Sequence, residues 1–256
     1  MDASHRHEEL LPEQFYEELA RTPLAYFAAG AMEEHGLHNP LGTDYLQDYE
    51  VCLRAAEITG GIVFPPVPFA PAGIPGYSRE ELRRAGPGEL FPPSLWISRE
   101  ACELLYTELL ESLAGLGFKA CVALGGHYPA DLLLQDLCQR YAGRVGDMGF
   151  WGGGTVSLLN EGGFLQNLET TREPGSGGHG MMWETSLIMA IRPDRVDLPR
   201  AARIEDSPLP SQLKGNAPES MGRLADANAA LGEEILARMV EVAVARAREL
   251  LVEGAP

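Results

Sequence analysis

The chain has 256 residues, 45% of them hydrophobic and 22% charged, a composition that suits one folded α/β domain over 1–256 and speaks against disorder. Its 37 acidic and 20 basic side chains leave a net charge of −17, which repels phosphate backbones and makes nucleic acid a poor partner. No apolar run reaches the length of a membrane span, and the N-terminus MDASHRHEELLPEQ lacks the apolar centre of a secretory signal, so no membrane partner and a cytoplasmic location are expected.

The elements follow in chain order. Residues 8–21 read as a short helix. TPLAYFAAGAM (22–32) reads as a strand that is apolar without alternation, as in a sheet covered on both faces. DYLQDYEVCLRAAEITG (44–60) reads as a helix stopped by Gly60 and Gly61. GIVFPP is a second strand. The proline- and glycine-rich stretch 65–93 is too long for a bland connector and reads as a lid or substrate loop. Residues 98–118 form a helix capped by Ser98, and KACVALGG (119–126) a third buried strand. Residues 129–143 open a helix with Pro129 in its first turn. FWGGGTVS reads as strand and turn within 145–157, EPGSGGHGMM (173–182) as a glycine-rich loop, and WETSLIMAI (183–191) as an apolar helix. A proline- and serine-rich passage (203–220) leads to an amphipathic helix over 221–252, with Leu224, Leu231, Ile235, Met239, Val242 and Leu250 on one broad side. That side packs either on the chain's own sheet or on a second copy. Strands alternating with helices indicate a mostly parallel sheet with helices on both faces. Cys52, Cys102, Cys121 and Cys138 are widely spaced, contain no CxxC pair and sit in apolar contexts, so they read as reduced core residues.

Ligands of a parallel α/β sheet bind beyond the carboxyl ends of its strands. Three distant segments deliver polar residues to such junctions. Glu33 and His35 follow the first strand, His127 follows the third, and His179 and Glu184 lie where a glycine loop enters a helix. Glu33 and His35, two apart, point the same way on an extended backbone. Asp44 begins the next helix, where a carboxylate is also favoured as a cap. Imidazole with carboxylate is the donor set of zinc, manganese or iron.

At these residues the sequence resembles a known family. GAMEEHGLHNPLGTD looks like the signature of the creatininase family of metal-dependent amidohydrolases. GGHYPAD resembles that family's second motif, GHGMMWETSLIMA its third, and VPFAPAGIPGYS with FPPSL, more loosely, its second-strand passage. Order and spacing agree from about residue 22 to residue 192. The resemblance implies a three-layer α/β/α sandwich, assembled as a homo-oligomer, often a hexamer. It also implies two divalent metal ions (zinc, manganese or iron) that share Asp44. Glu33 and His127 match ligands of one metal and His35 a ligand of the other, while His179 matches a histidine that exchanges protons with the scissile group.

The departures from the family pattern are informative. Creatininase carries a glutamate ligand two residues after the second-motif histidine, and this chain has Pro129 there. The commoner family asparagine, one place later, is Ala130. Glu184 is therefore expected as the replacement ligand, with Asp131 as runner-up. Tyr128 matches a tyrosine beside the creatininase substrate. The tryptophan that creatininase places before its third-motif histidine is missing. Trp151 and Trp183 are candidate substitutes for that wall, with core packing as the favoured role of both, and His38 is a further substrate-binding candidate. The expected function is hydrolysis of a C–N bond in a small cyclic amide or formamide, with a bridging hydroxide as nucleophile. Alternatives are opening of an oxidised cyclic polyol, deformylation of a nucleotide-linked substrate with Arg79, Arg83 and Arg84 holding its phosphate, and a non-catalytic metal-binding scaffold.

Overall fold

A computed structural model describes residues 4–86, 89–164, 177–215 and 223–253. Its centre is a five-stranded sheet in the order β2-β1-β3-β5-β4, made of β1 (Leu24–Ala29), β2 (Ile62–Val63), β3 (Ala120–Gly125), β4 (Arg144–Val145) and β5 (Met148–Gly154). All neighbours run parallel except the β4–β5 pair at one edge. β1 and β3 are buried at every residue, which is why their sequences do not alternate in polarity. Their side chains alternate in direction instead. Leu24, Tyr26, Ala28, Val122 and Leu124 enter one core, while Ala25, Phe27, Cys121 and Ala123 enter the other.

The helices named here are α1 (Pro12–Arg21), α2 (Thr43–Thr59), α3 (Arg79–Ala85), α4 (Arg99–Leu116), α5 (Tyr128–Arg140), α6 (Thr155–Glu161), α7 (Met182–Ile191) and α8 (Ala229–Glu253). The first core lies under α2, α7 and α8, through Val51, Leu187, Ile235 and Met239. The second lies under α4 and α5, through Tyr106, Leu110, Leu133 and Leu137. The architecture is the expected α/β/α sandwich. All four cysteines are free, and three of them are buried. No helix among the described residues is long and apolar enough to cross a membrane.

Several boundaries differ from the sequence reading for physical reasons. α1 starts at Pro12 after a 3-10 turn (His7–Glu9), because proline fits a first turn and donates no N–H. α2 and α4 end at Gly60 and Gly117, both at positive φ, and Ser98 caps α4 by accepting from Ala101 N. The passage read as a turn after β5 holds α6. The amphipathic pattern predicts α8 from residue 221; residues 221–222 lie outside the described region, and the helix itself begins at Ala229. Leu224 packs apart from it, with Met182, Ala201 and Ala227. The apolar side of α8 is spent on the chain's own sheet and on α2 and α7. Residues 173–176 and 216–220, which fall in the expected glycine-rich and proline-rich loops, also lie outside the described region.

The sheet register sets up the site. Ala29 pairs with Gly125, and Gly125 with Gly154, so three parallel strands end in one row. Gly126, just beyond β3, lies against α2: a Cβ there would stand 1.9 Å from the Asp44 carbonyl oxygen. At Gly30 a Cβ would stand 2.6 Å from the backbone nitrogen of Tyr45. These two glycines let the first turn of α2 press onto the strand ends, carrying Asp44 with it.

Candidate metal centre

The cluster is built from four junctions. The β1–α2 connection supplies Glu33 and His35, the first turn of α2 supplies Asp44, the β3–α5 junction supplies His127, and the loop into α7 supplies His179 with Glu184 in the first turn of α7 itself. Asp44 sits between two groups. Its Oδ1 lies 2.9 Å from His35 Nε2, and its Oδ2 lies 3.1 Å from His127 Nδ1. Glu33 Oε2 is 3.0 Å from the same His127 nitrogen. Glu184 Oε2 is 3.5 Å from His35 Nε2.

Three overlapping donor sets result: Glu33, Asp44 and His127; His35, Asp44 and Glu184; and Glu33, His35 and His179. Within each, one ligand atom per residue lies within 4.8 Å of the others. Glu33, His35 and Asp44 are almost fully buried.

The electrostatics demand positive charge at this point. Burial raises the cost of each carboxylate, yet the histidines hold Glu33 and Asp44 below the usual carboxylate range. Burial likewise disfavours charge on His35 and His127, and the surrounding carboxylates outweigh it, lifting both to about 10. Burial and Asp44 push Glu184 upward against the pull of His35.

Glu33 Oε2, Asp44 Oδ2 and His35 Nε2 lie 2.9–3.1 Å from a polar atom across the cluster but make no well-aligned hydrogen bond to it. Unmatched buried polar atoms cost about 1–3 kcal/mol each; a divalent cation at the Glu33–Asp44–His127 set would satisfy the first two, and one at the His35–Asp44–Glu184 set the third. His35 is oriented for this, since its Nδ1–H donates to the Glu33 carbonyl at 3.1 Å and turns Nε2 inward. The residues present therefore fit divalent metal, and zinc, manganese and iron all suit their chemistry.

A family profile described as "Creatininase: Creatinine amidohydrolase" matches residues 8–247. The chain belongs to the creatininase family. A creatinine amidohydrolase of Pseudomonas putida is 30% identical over 184 residues, spanning 67% of this chain and 65% of that enzyme's length. A mutant creatininase of Zn–Zn type has a similar structure, with 25% identity, a TM-score of 0.69 and both chains fully covered. A manganese creatininase matches at TM-score 0.69 and 24% identity over 99% of this chain and all of that one, and bears on the fold.

The structure brings Glu33, His35, Asp44, His127, His179 and Glu184 together. Three other expectations need correction. Asp131 turns away from the cluster: its carboxylate accepts from Ser157 Oγ at 2.6 Å, from Gln135 Nε2 at 2.8 Å and from Ser157 N at 3.1 Å. It is spent on the first turn of α6 and is absent from every donor set. His38 is buried, with Nε2 against the Gly180 carbonyl at 3.0 Å and Thr185 Oγ1 at 3.1 Å, so it braces the loop that carries His179 and does not line the cavity. Trp151 packs against the core beneath α8, with the Arg246 guanidinium 5.9 Å from its ring centre, and also lies off the cavity. Trp183 and Tyr128 do line it.

Three residues escaped the sequence reading: Glu34, Gln212 and Asp48. Glu34 is buried, and its carboxylate holds a distant segment: Oε1 accepts from Ser211 Oγ at 2.6 Å and Oε2 from Gln212 N at 2.9 Å. This carries the Gln212 side chain to the metal centre, where Nε2 donates to Glu33 Oε1 at 2.6 Å and to the Glu34 carbonyl at 3.4 Å. Glu33 Oε1 is thereby occupied, and Oε2 is left as the ligating oxygen. Asp48, one turn beyond Asp44, accepts from Thr155 Oγ1 at 2.9 Å and ties α2 to the β5–α6 junction. Burial pushes its carboxyl well above the usual range.

Replacing Gln212 with leucine removes the donor from Glu33 Oε1. Metal affinity is expected to fall about 10–100-fold, the usual cost of losing a group that orients a ligand. Competition with a chelator measures it. An unchanged affinity would show that Glu33 is held without Gln212.

Proposed function

We propose that the protein is a metal-dependent hydrolase that cleaves the C–N bond of a small cyclic amide or formamide at a pair of divalent cations. The observation that carries this reading is the placement of Asp44, whose two oxygens face two different donor sets. Glu33, Asp44 and His127 would hold one cation, and His35, Asp44 and Glu184 the other. Similarity to a creatinine amidohydrolase supports an amide as the substrate. Bound there, two cations polarise a carbonyl and provide hydroxide near neutral pH.

The chain's own residues supply the proton path. The Glu34 carbonyl can only accept, so the His179 nitrogen against it, Nε2, carries the hydrogen. Gln212 Nε2, 3.1 Å from that nitrogen, is a second donor and makes a contact without a hydrogen bond. Nδ1 of His179 is left with its lone pair, 3.9 Å from Glu33 Oε2. Its ring stacks on His35 with centroids 4.1 Å apart, which fixes the plane. Nδ1 is thus the atom that takes the proton of the attacking water and returns it to the leaving nitrogen. The apolar walls of the cavity keep bulk water from competing for that proton.

The phosphate-binding alternative loses its support. Arg79, Arg83 and Arg84 are exposed on α3, and Arg84 pairs with Glu80 at 2.8 Å. None of the three lines the cavity.

Elemental mass spectrometry of the purified protein, beside a Glu184→Ala variant, tests the proposal. About two equivalents per chain are expected, falling to about one in the variant. Amide hydrolysis should drop at least about 100-fold with the lost cation, which supplies several kcal/mol of transition-state stabilisation. One equivalent in both proteins would remove the second cation from the mechanism. No metal after reconstitution would end the hydrolase reading.

A further inference from the structure

The cavity above the metal centre encloses about 510 Å³, within the range of roughly 300–1,000 Å³ that holds ligands of drug size. Its floor is polar: Glu33, Asp44, His127, His179, Glu184 and Gln212 meet there. Its walls are not. Ile74, Tyr77 and Phe91 come from the 65–93 stretch, Trp96 follows it, and Leu159 and Trp183 come from α6 and α7. The described part of the long proline-rich stretch therefore contributes to the cavity wall.

Polar groups on these walls are few, and one is already spent, since Trp96 Nε1 donates to the Leu90 carbonyl at 3.0 Å. Among the described residues that line the cavity, no lysine or arginine appears. A carboxylate or phosphate on the far part of a substrate would lose its hydration against apolar rings, in a chain of net charge −17, and gain no cation in return. A compact polar ring would occupy the floor and leave the aromatic walls unfilled.

We infer that the substrate is a neutral amide or formamide bearing an aromatic group, with the C–N bond on the metal floor and the ring between Tyr77, Phe91, Trp96 and Trp183. This deepens the hydrolase reading and rests on it. Aromatic side chains around a ring favour offset or edge-on contact and add specificity beyond area burial. In the reaction, the water oxygen joins the carbonyl carbon, the C–N bond breaks, and the amine leaves with the proton from His179.

Three probes separate the possibilities for the metal-loaded enzyme: formanilide (neutral and aromatic), 4-carboxyformanilide (the same ring with an anion) and creatinine (small and polar). Binding is read from quenching of the cavity tryptophans, and turnover from release of the amine or, for creatinine, from ring opening. Formanilide is expected to bind, and its kcat/KM should exceed that of the other two by about 10–100-fold, the scale on which an apolar pocket discriminates. Val156, on the cavity wall and 38% exposed, is the site for a charge test. Val156→Arg should lower kcat/KM for formanilide about tenfold, raise it for 4-carboxyformanilide and leave metal content unchanged.

Formanilide that binds tightly without turnover would support the cavity assignment and count against the hydrolase reading. Preference for the carboxylated or the small polar probe would overturn the substrate class and leave the hydrolase reading standing. Absence of formanilide binding would overturn the class as well, including the case in which a second copy of the chain is found to fill the cavity at higher protein concentration.

Discussion

Asp44→Asn is expected to be the most damaging single change at the metal centre. Bound metal should fall from about two equivalents to one or none, and hydrolysis should fall by at least about a thousandfold. Asp44 is the residue common to the two proposed cation sites, so its loss weakens both. Asparagine keeps the shape but replaces one anionic oxygen with an N–H₂ group. Whichever way the amide turns, a donor then faces either His35 Nε2 or His127 Nδ1, where a lone pair is needed for a cation. The rate estimate follows from losing several kcal/mol of charge stabilisation at two points. The fold should survive, because the variant removes a buried charge while Gly30 and Gly126 still seat α2 on the strand ends. Elemental analysis and a thermal melt on the same preparation separate the two effects. A variant that keeps two cations and its activity would show that Asp44 is not shared.

The parts of this site that were legible in the sequence are those set by local chain geometry. A buried parallel strand reads as an unbroken apolar run, and the polar residues that follow it must lie at the sheet's carboxyl edge. Glu33, His35 and His127 were placed that way, and Asp44 by its position in the first turn of α2. The resemblance to the creatininase family added the pairing between segments. What stayed hidden depends on contacts across long separations. Gln212 meets Glu33 from 179 residues away, and nothing in its proline- and serine-rich surroundings marks it. Glu184 is the favoured replacement ligand from its third-motif match, but Asp131 stays a runner-up because it too lies near the start of a helix. Only the packing of α6 shows that Ser157 and Gln135 already occupy Asp131. The choice between cavity wall and core for Trp151 stayed open for a similar reason. Side-chain direction alternates along β5, and a short run rich in glycine gives no pattern from which to read which face a tryptophan takes. The same run, FWGGGTVS, hid α6, since glycine signals a turn and here instead lets β5 approach its neighbours: a Cβ on Gly154 would stand 2.0 Å from the Gly125 carbonyl oxygen.

His179→Gln is the second change with a large expected effect, and it tests the proton path apart from the metal. Glutamine places its amide near the position of Nε2. It can keep the donation to the Glu34 carbonyl while removing the lone pair of Nδ1. If Nδ1 moves the proton, kcat should fall about 10²–10⁴-fold, the usual contribution of a positioned acid–base group. KM should change little and metal content not at all. His179→Ala, which removes both functions, should fall as far or further. His179 also belongs to a donor set with Glu33 and His35, and this gives the experiment its second arm. Loss of one equivalent of metal in His179→Gln would make His179 a ligand. A variant that retains both its metal and its rate would assign His179 the bracing role that His38 has on the same loop. The predicted split, an intact metal centre with a crippled kcat, follows only if the carbonyl of Glu34 fixes the tautomer, because a histidine free to turn could present either nitrogen to the substrate.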